Sequence, residues 1–210
     1  MDFDPRKVSA KEKLLELFRR KGKSEPHPGR VPPGQHLTQG FPVLDLGIQP
    51  EIDLDTWKLK ITGLVKKPEE YSLNELKKLG AQEYTKDFHC VTMWSKLDVH
   101  WTGIPFKKIL DRVQPLPEWK HLIQYGAEDY STNVPREDVE RDDIFLAFEL
   151  DGKPIPKEHG VIRLIIPHLY GWKASKFLIA LEFSDKDKPG FWEVRGYHNH
   201  GDALKEERYG

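Results

Sequence analysis

Apolar residues in the body of this chain recur in short bursts of strand length, and no helix-period stretch there runs long. Trp57-Lys58-Leu59-Lys60-Ile61-Thr62 alternates cleanly, as a half-buried strand does, and Phe177 to Phe183 alternates likewise. Glu83–Phe88, His121–Tyr125, Phe145–Leu150 and Val161–Ile166 read as further strands, the last closed by Pro167. Tyr130 to Arg136 is polar, ends in Pro135, and reads as a loop. Ser72-Leu73-Asn74-Glu75 is a capping box opening a short helix that stops at Gly80. Thr102-Gly103-Ile104-Pro105 starts another, with the stripe Phe106, Ile109, Leu110 and Val113. A further helix is expected over Ser9 to Arg20, followed by a Pro-, Gly- and Lys-rich arm to Gly34. Strands dominate and helices are scattered, which predicts a single α+β domain over 35–204, a helical and irregular arm over 1–34, and a charged tail over 205–210 that frays.

The 210 residues suffice for a core without staples. A net charge of −1 gives no global field toward nucleic acid or an anionic membrane. No apolar run approaches the roughly 20 residues a bilayer needs. Met1 to Lys7 shows no apolar signal region and no twin arginine, so the expected location is cytoplasmic.

The only cysteine, Cys90, lies in Phe88-His89-Cys90-Val91-Thr92-Met93-Trp94-Ser95. A single thiol is either a small apolar residue of the core or one soft ligand for something bound. A cysteine protease would need a histidine base; His89 is adjacent and faces the other way on a strand, and no protease signature surrounds the thiol. Pro167-His168-Leu169-Tyr170-Gly171-Trp172-Lys173-Ala174-Ser175-Lys176 places small residues and two lysines after a strand, which suits an anion or equally a solvated turn. His198-Asn199-His200 would put two imidazoles on one side of a strand, but no third metal ligand is evident by spacing.

Taken together, these segments resemble the molybdenum-binding domain of the sulfite oxidase family, specifically its bacterial single-domain members. The match spans roughly residues 35–200. It is carried by the Cys90 stretch with Trp101-Thr102-Gly103-Ile104-Pro105-Phe106 behind it, by Tyr130-Ser131-Thr132-Asn133-Val134-Pro135, and by the run from Phe148 through His159-Gly160, Arg163 and Pro167 to Phe177. Phe191-Trp192-Glu193-Val194-Arg195-Gly196-Tyr197 closes it. The resemblance implies a mixed α/β fold of that type and a molybdopterin cofactor without haem. Its metal takes the pterin dithiolene, oxygen ligands and one protein thiolate, for which Cys90 is the matching position. It implies that Lys173 and Lys176 hold the pterin phosphate, with Ser175, Arg163 and His168 as further cofactor contacts, and that Tyr130 is the active-site tyrosine.

Departures bear on the substrate. Sulfite oxidases carry arginines shortly after the cysteine and before a Pro-Val. Here Met93-Trp94-Ser95 and Thr38-Gln39 stand there instead, so an anion would be poorly held unless His89, Lys96, Arg195 or His198 compensates. Periplasmic reductases of the family have a glutamate two residues past the cysteine, where this chain has Thr92. The expectation is therefore oxygen-atom transfer on a small oxo-bearing substrate other than sulfite, such as an S-oxide, by a monomer that exchanges electrons with a separate protein. A non-catalytic pterin- or anion-binding domain, and a structural interaction domain with Cys90 in its core, are the alternatives.

Overall fold

The computed structural model describes residues 29–44, 47, 49–127 and 129–210. The helix expected over Ser9 to Arg20, and most of the arm, lie outside these residues. Two mixed sheets carry the fold. One contains β1 (His36–Leu37), β4 (Gln82–Cys90), β5 (Trp94–Pro105), β8 (Phe145–Leu150), β9 (Lys153–Pro154) and β10 (Arg163–Ile165). Its spine runs β1-β5-β8-β10, with β4 hairpinned onto β5 and β9 onto β8. The other contains β2 (Lys58–Gly63), β3 (Glu69–Ser72), β6 (His121–Gly126), β7 (Ser131–Pro135) and β11 (Leu178–Ser184), in the order β3-β2-β11-β6-β7. The β1–β5 and β2–β11 pairings are parallel and the rest antiparallel. The helices are α1 (Leu73–Lys77), α2 (Phe106–Val113) and α3 (Arg136–Val139). Among the described residues no helix is long and apolar enough to cross a membrane.

Local signals explain much of this. Leu59 and Ile61 of β2 point inward and are fully buried, while Lys58 and Lys60 point out. The capping box forms as read: Ser72 Oγ accepts from Glu75 N at 3.3 Å and Glu75 Oε2 accepts from Ser72 N at 2.8 Å. The stripe on α2 buries Phe106, Ile109 and Val113 against Leu146, Leu164 and Leu181 in the main core. A smaller aromatic cluster, with Phe88, Trp94 and Trp101, lies on one side of Cys90, and another, with Tyr170, Trp172 and Trp192, on its other side.

Three expectations are corrected. Ser131–Pro135 is not a loop but β7, paired with β6; it lacks an apolar face because Thr132 and Asn133 turn into a buried polar network. Thr102 to Pro105 does not begin a helix but ends the 12-residue β5, and α2 follows with Pro105 as its N-cap. The C-terminal tail does not fray. His198 N donates to Arg208 O at 3.1 Å, and the buried Arg208 donates to Pro33 O at 3.0 Å and to the Tyr170 hydroxyl.

Gly63, at the end of β2, has φ +84°, and a Cβ there would fall 2.2 Å from Phe183 O on the paired strand. A backbone oxygen cannot step aside, so Gly63→Ala is expected to cost about 2 kcal/mol, read as a lowered urea midpoint.

Candidate active site

Cys90 is the last residue of β4, at the mouth of the turn into β5. Met93 N donates to Cys90 O at 3.1 Å and closes that turn, with Met93 in the left-handed region at φ 67°. The buried Gln35 donates from Nε2 to the same carbonyl at 3.1 Å and accepts from Ser95 Oγ at 2.9 Å. Ser95 Oγ in turn lies 2.8 Å from His89 Nδ1. Burial lowers the His89 pKa to about 4, so this imidazole is neutral at neutral pH. His89 is thus engaged on the far side of the strand and does not serve as a base for the thiol.

The thiol opens on a cleft that encloses about 890 Å³ of space, its open mouth included. Its walls are largely aromatic, with Phe41, Trp94, Trp172 and Trp192 among them. Its polar lining comes from Thr92, Tyr130, His159, Arg163 and Lys176. Arg163 is delivered by β10 and is buried, with its guanidinium over the Phe88 ring at 5.2 Å. It donates to Ala174 O at 2.8 and 3.2 Å and to Gly171 O at 2.9 Å. Burial lowers its pKa to about 10, so it remains a cation, and among the described residues no carboxylate pairs with it. Lys176 donates to Leu44 O at 2.8 Å and Glu158 O at 2.6 Å. Burial, then the charges of Lys176 and Arg163, lower His159 to about 4, which keeps a neutral imidazole in the cleft. The Tyr130 hydroxyl donates to Trp172 O at 2.5 Å. Burial first, then Glu193, pushes its pKa well above the usual phenol value, so it stays protonated.

Gly171 permits a close approach here. A Cβ on it would lie 2.4 Å from Phe88 Cζ, the ring beneath Arg163. Gly171→Ala is expected to displace that ring and leave the chain folded with a weakened hold on any cleft ligand, by about tenfold in affinity; ligand content per folded chain measures it.

The other residues singled out from sequence lie elsewhere. Lys173 is fully buried, and its ammonium donates to Glu193 Oε1 at 2.7 Å, Asn133 Oδ1 at 2.8 Å and Asn199 O at 2.6 Å. It does not line the cleft, because the turn Gly171–Lys173 aims Trp172 at the cleft and Lys173 at the buried Glu193. Burial lowers the Lys173 pKa and the Glu193 carboxylate opposes that shift. Ser175 is buried behind the wall, with its N–H on Gln124 Oε1 at 3.2 Å and its hydroxyl on Lys176 O at 3.1 Å. Of the four substitute cations, none lines the cleft: His89 faces Ser95, Lys96 lies 3.6 Å from Asp151, Arg195 stacks on Phe191, and His198 lies 3.6 Å from Glu207. His159 has the converse history. It appears in the matching run, but nothing local in the sequence says that it faces the same space as Cys90.

His168 is also away from the cleft. Its Nε2 is 2.7 Å from Asp138 Oδ1, while His200 Nε2 is 2.8 Å from Asp138 Oδ2 and His200 Nδ1 is 2.7 Å from Glu207 Oε2. Asp138, His168 and His200 thus form a group of ligand-type atoms. Both nitrogens of His200 face carboxylates, Glu207 on one side and Asp138 on the other, so the ring is held by hydrogen bonds at both ends. The group is a clamp that ties the C-terminal segment to α3. The hydrogen bond to Asp138 raises the His200 pKa above 6.5. Burial alone would raise Asp138, but hydrogen bonds from His168 and His200 outweigh it and hold this carboxyl below the usual range. The His200 contribution is therefore complete below its unfolded value near 6.5 and fades as pH rises through the raised folded value. The Asp138 contribution is complete above its unfolded value of 3.8 and fades as pH falls toward the depressed one. Amide exchange in residues 198–210 is expected to quicken, relative to the β2 core, as pH rises through the His200 titration; in His200→Gln that added pH dependence is absent.

A family model described as the oxidoreductase molybdopterin binding domain matches residues 46–192. The chain belongs to this family. Like its members it is a molybdenum-dependent oxidoreductase. It is 38% identical over 183 residues to an uncharacterized oxidoreductase, YuiH, of Bacillus subtilis, covering 86% of this chain and 92% of that one. It is 32% identical over 158 residues to the protein-methionine-sulfoxide reductase catalytic subunit MsrP of Xanthomonas campestris, covering 67% of this chain and 49% of the relative. The chain thus spans about half the length of that reductase. The crystal structure of the sulfane dehydrogenase SoxCD from Paracoccus pantotrophus superposes with a TM-score of 0.61 at 24% identity, over 70% of this chain and 42% of that one, which shows a shared fold.

The molybdopterin-binding family's cofactor fits the residues present. The cleft offers one soft sulfur, a buried guanidinium with no carboxylate to neutralise it, and a lysine behind it. A buried cation in that state is completed by an anion. At Gly160 a Cβ would meet the Lys176 side chain at 2.5 Å, so the backbone there cradles this lysine.

Proposed function

We propose that the cleft holds a molybdenum–molybdopterin cofactor with Cys90 as its thiolate ligand, and that the chain reduces small S-oxides with electrons from a separate redox protein. When bound, this cofactor supplies two-electron oxygen-atom transfer, which no side chain performs. Cys90 gives a charge-donating sulfur suited to a metal that cycles between high oxidation states. Arg163 and Lys176 hold the anionic end of the pterin, while neutral His159 offers it a hydrogen bond without a second charge. Lys173 and Ser175 act behind them, by shaping the turn. Tyr130 keeps its phenolic proton on Trp172 O, and serves as a donor to the substrate oxygen by exchanging that bond. The aromatic walls exclude water and favour a neutral substrate over sulfite.

The single observation that carries this reading is the juxtaposition of the lone thiol with the unneutralised buried Arg163 in one aromatic cleft. The likeness to a methionine-sulfoxide reductase supports the S-oxide as substrate, and that relative's being a catalytic subunit supports a separate electron donor. The test is anaerobic oxidation of a reduced dye by protein from a molybdopterin-producing host. Methionine sulfoxide is expected to drive oxidation of the reduced dye, and sulfite is expected not to reduce the same dye supplied in its oxidised form. Full molybdenum occupancy with no turnover on any oxo donor or acceptor would instead identify a non-catalytic binding domain.

A further inference from the structure

Thr92 follows Cys90 by two residues in the turn that leaves β4, and its hydroxyl oxygen lies 3.1 Å from Cys90 Sγ. Thr92 is buried and lines the same cleft. A hydroxyl beside a thiol can donate or accept. Beside a thiolate only one direction exists, since the sulfur has no proton to give and the O–H points at it. A β-branched side chain has few rotamers, so the closed turn that fixes the Thr92 backbone also fixes the hydroxyl.

We propose that Thr92 is a positioning residue that tunes Cys90: its hydroxyl donates to the thiolate, withdraws charge from the sulfur and sets the reduction potential of the metal bound there. This rests on Cys90 being the metal ligand. Reduction of a metal pushes electron density onto its sulfur, so the hydrogen bond is stronger in the reduced state, and the couple sits at a more positive potential than without it.

Thr92→Val removes the hydroxyl at nearly constant shape, and Thr92→Ser retains it. Three quantities are read on each and on wild type: molybdenum per chain, the midpoint potential from an EPR-monitored redox titration, and the alkylation rate of Cys90 by iodoacetamide at neutral pH in cofactor-free protein. With molybdenum content equal in all three, the potential of Thr92→Val is expected to shift negative and that of Thr92→Ser to stay near wild type. Alkylation of Thr92→Val is expected to slow about threefold, since the loss of one hydrogen bond to a charged group lowers the thiolate fraction about tenfold while the remaining thiolate is more nucleophilic, with recovery in Thr92→Ser. An unchanged potential in Thr92→Val at full molybdenum overturns the inference and leaves the cofactor assignment standing. If wild type carries no molybdenum, the cofactor assignment and the tuning role that rests on it both fall, and the alkylation series then decides only whether the hydroxyl donates to the thiolate.

Discussion

Cys90→Ser is expected to abolish S-oxide turnover, with a loss far beyond the roughly 100-fold that removal of an outer-shell partner costs a metal site. The sulfur-to-metal absorption should vanish with it. Serine nearly matches cysteine in size, and Gln35, Met93 and Ser95 hold the turn through backbone and side-chain bonds that do not involve the sulfur. The variant should therefore fold with stability within about 1 kcal/mol of wild type. A hard hydroxyl replaces a soft, deprotonated ligand, and this change alone accounts for the lost activity. Equal denaturation curves with absent turnover would separate ligation from folding; retained turnover would place the chemistry elsewhere.

Lys173→Met carries the largest expected effect on stability, a loss of about 3–5 kcal/mol, because it leaves Glu193 as a buried charge without its counter-ion. Glu193 Oε1 also accepts from Thr132 Oγ1 at 2.7 Å and Trp172 Nε1 at 3.1 Å, so the pair anchors β7 and the cleft wall together. Adding Glu193→Gln removes the stranded charge while keeping an acceptor, and should recover a part of the loss. Urea denaturation of the single and double variants measures this. If Lys173→Met instead keeps its stability and loses pterin, the lysine holds the cofactor phosphate and its place in the buried network is incidental.

The contrast between Lys173 and Lys176 shows where sequence reasoning runs out. Both lysines follow the same strand and both fit an anion-binding turn by composition. Which of them faces the cleft is set by Glu193, twenty residues later, whose buried carboxylate draws Lys173 inward. For the same reason β7 did not read as a strand: its inward residues Thr132 and Asn133 are polar because they face that network. Elements whose burial follows a local period, such as β2, β11 and α2, were legible from spacing alone. The long β5 was masked by helix-start residues at its end. Cys90, Tyr130, Arg163 and Lys176 line one cleft, and the parts that Phe41, His159 and Trp192 play in its walls emerge only when distant segments fold together.

Molybdenum-edge X-ray absorption of protein from a molybdopterin-producing host tests the central claim most directly. The account predicts stoichiometric metal with three sulfur neighbours, two from the dithiolene and one from Cys90, and loss of one of them in Cys90→Ser. A metal-free wild type, or a sulfur shell identical in the two proteins, would contradict it.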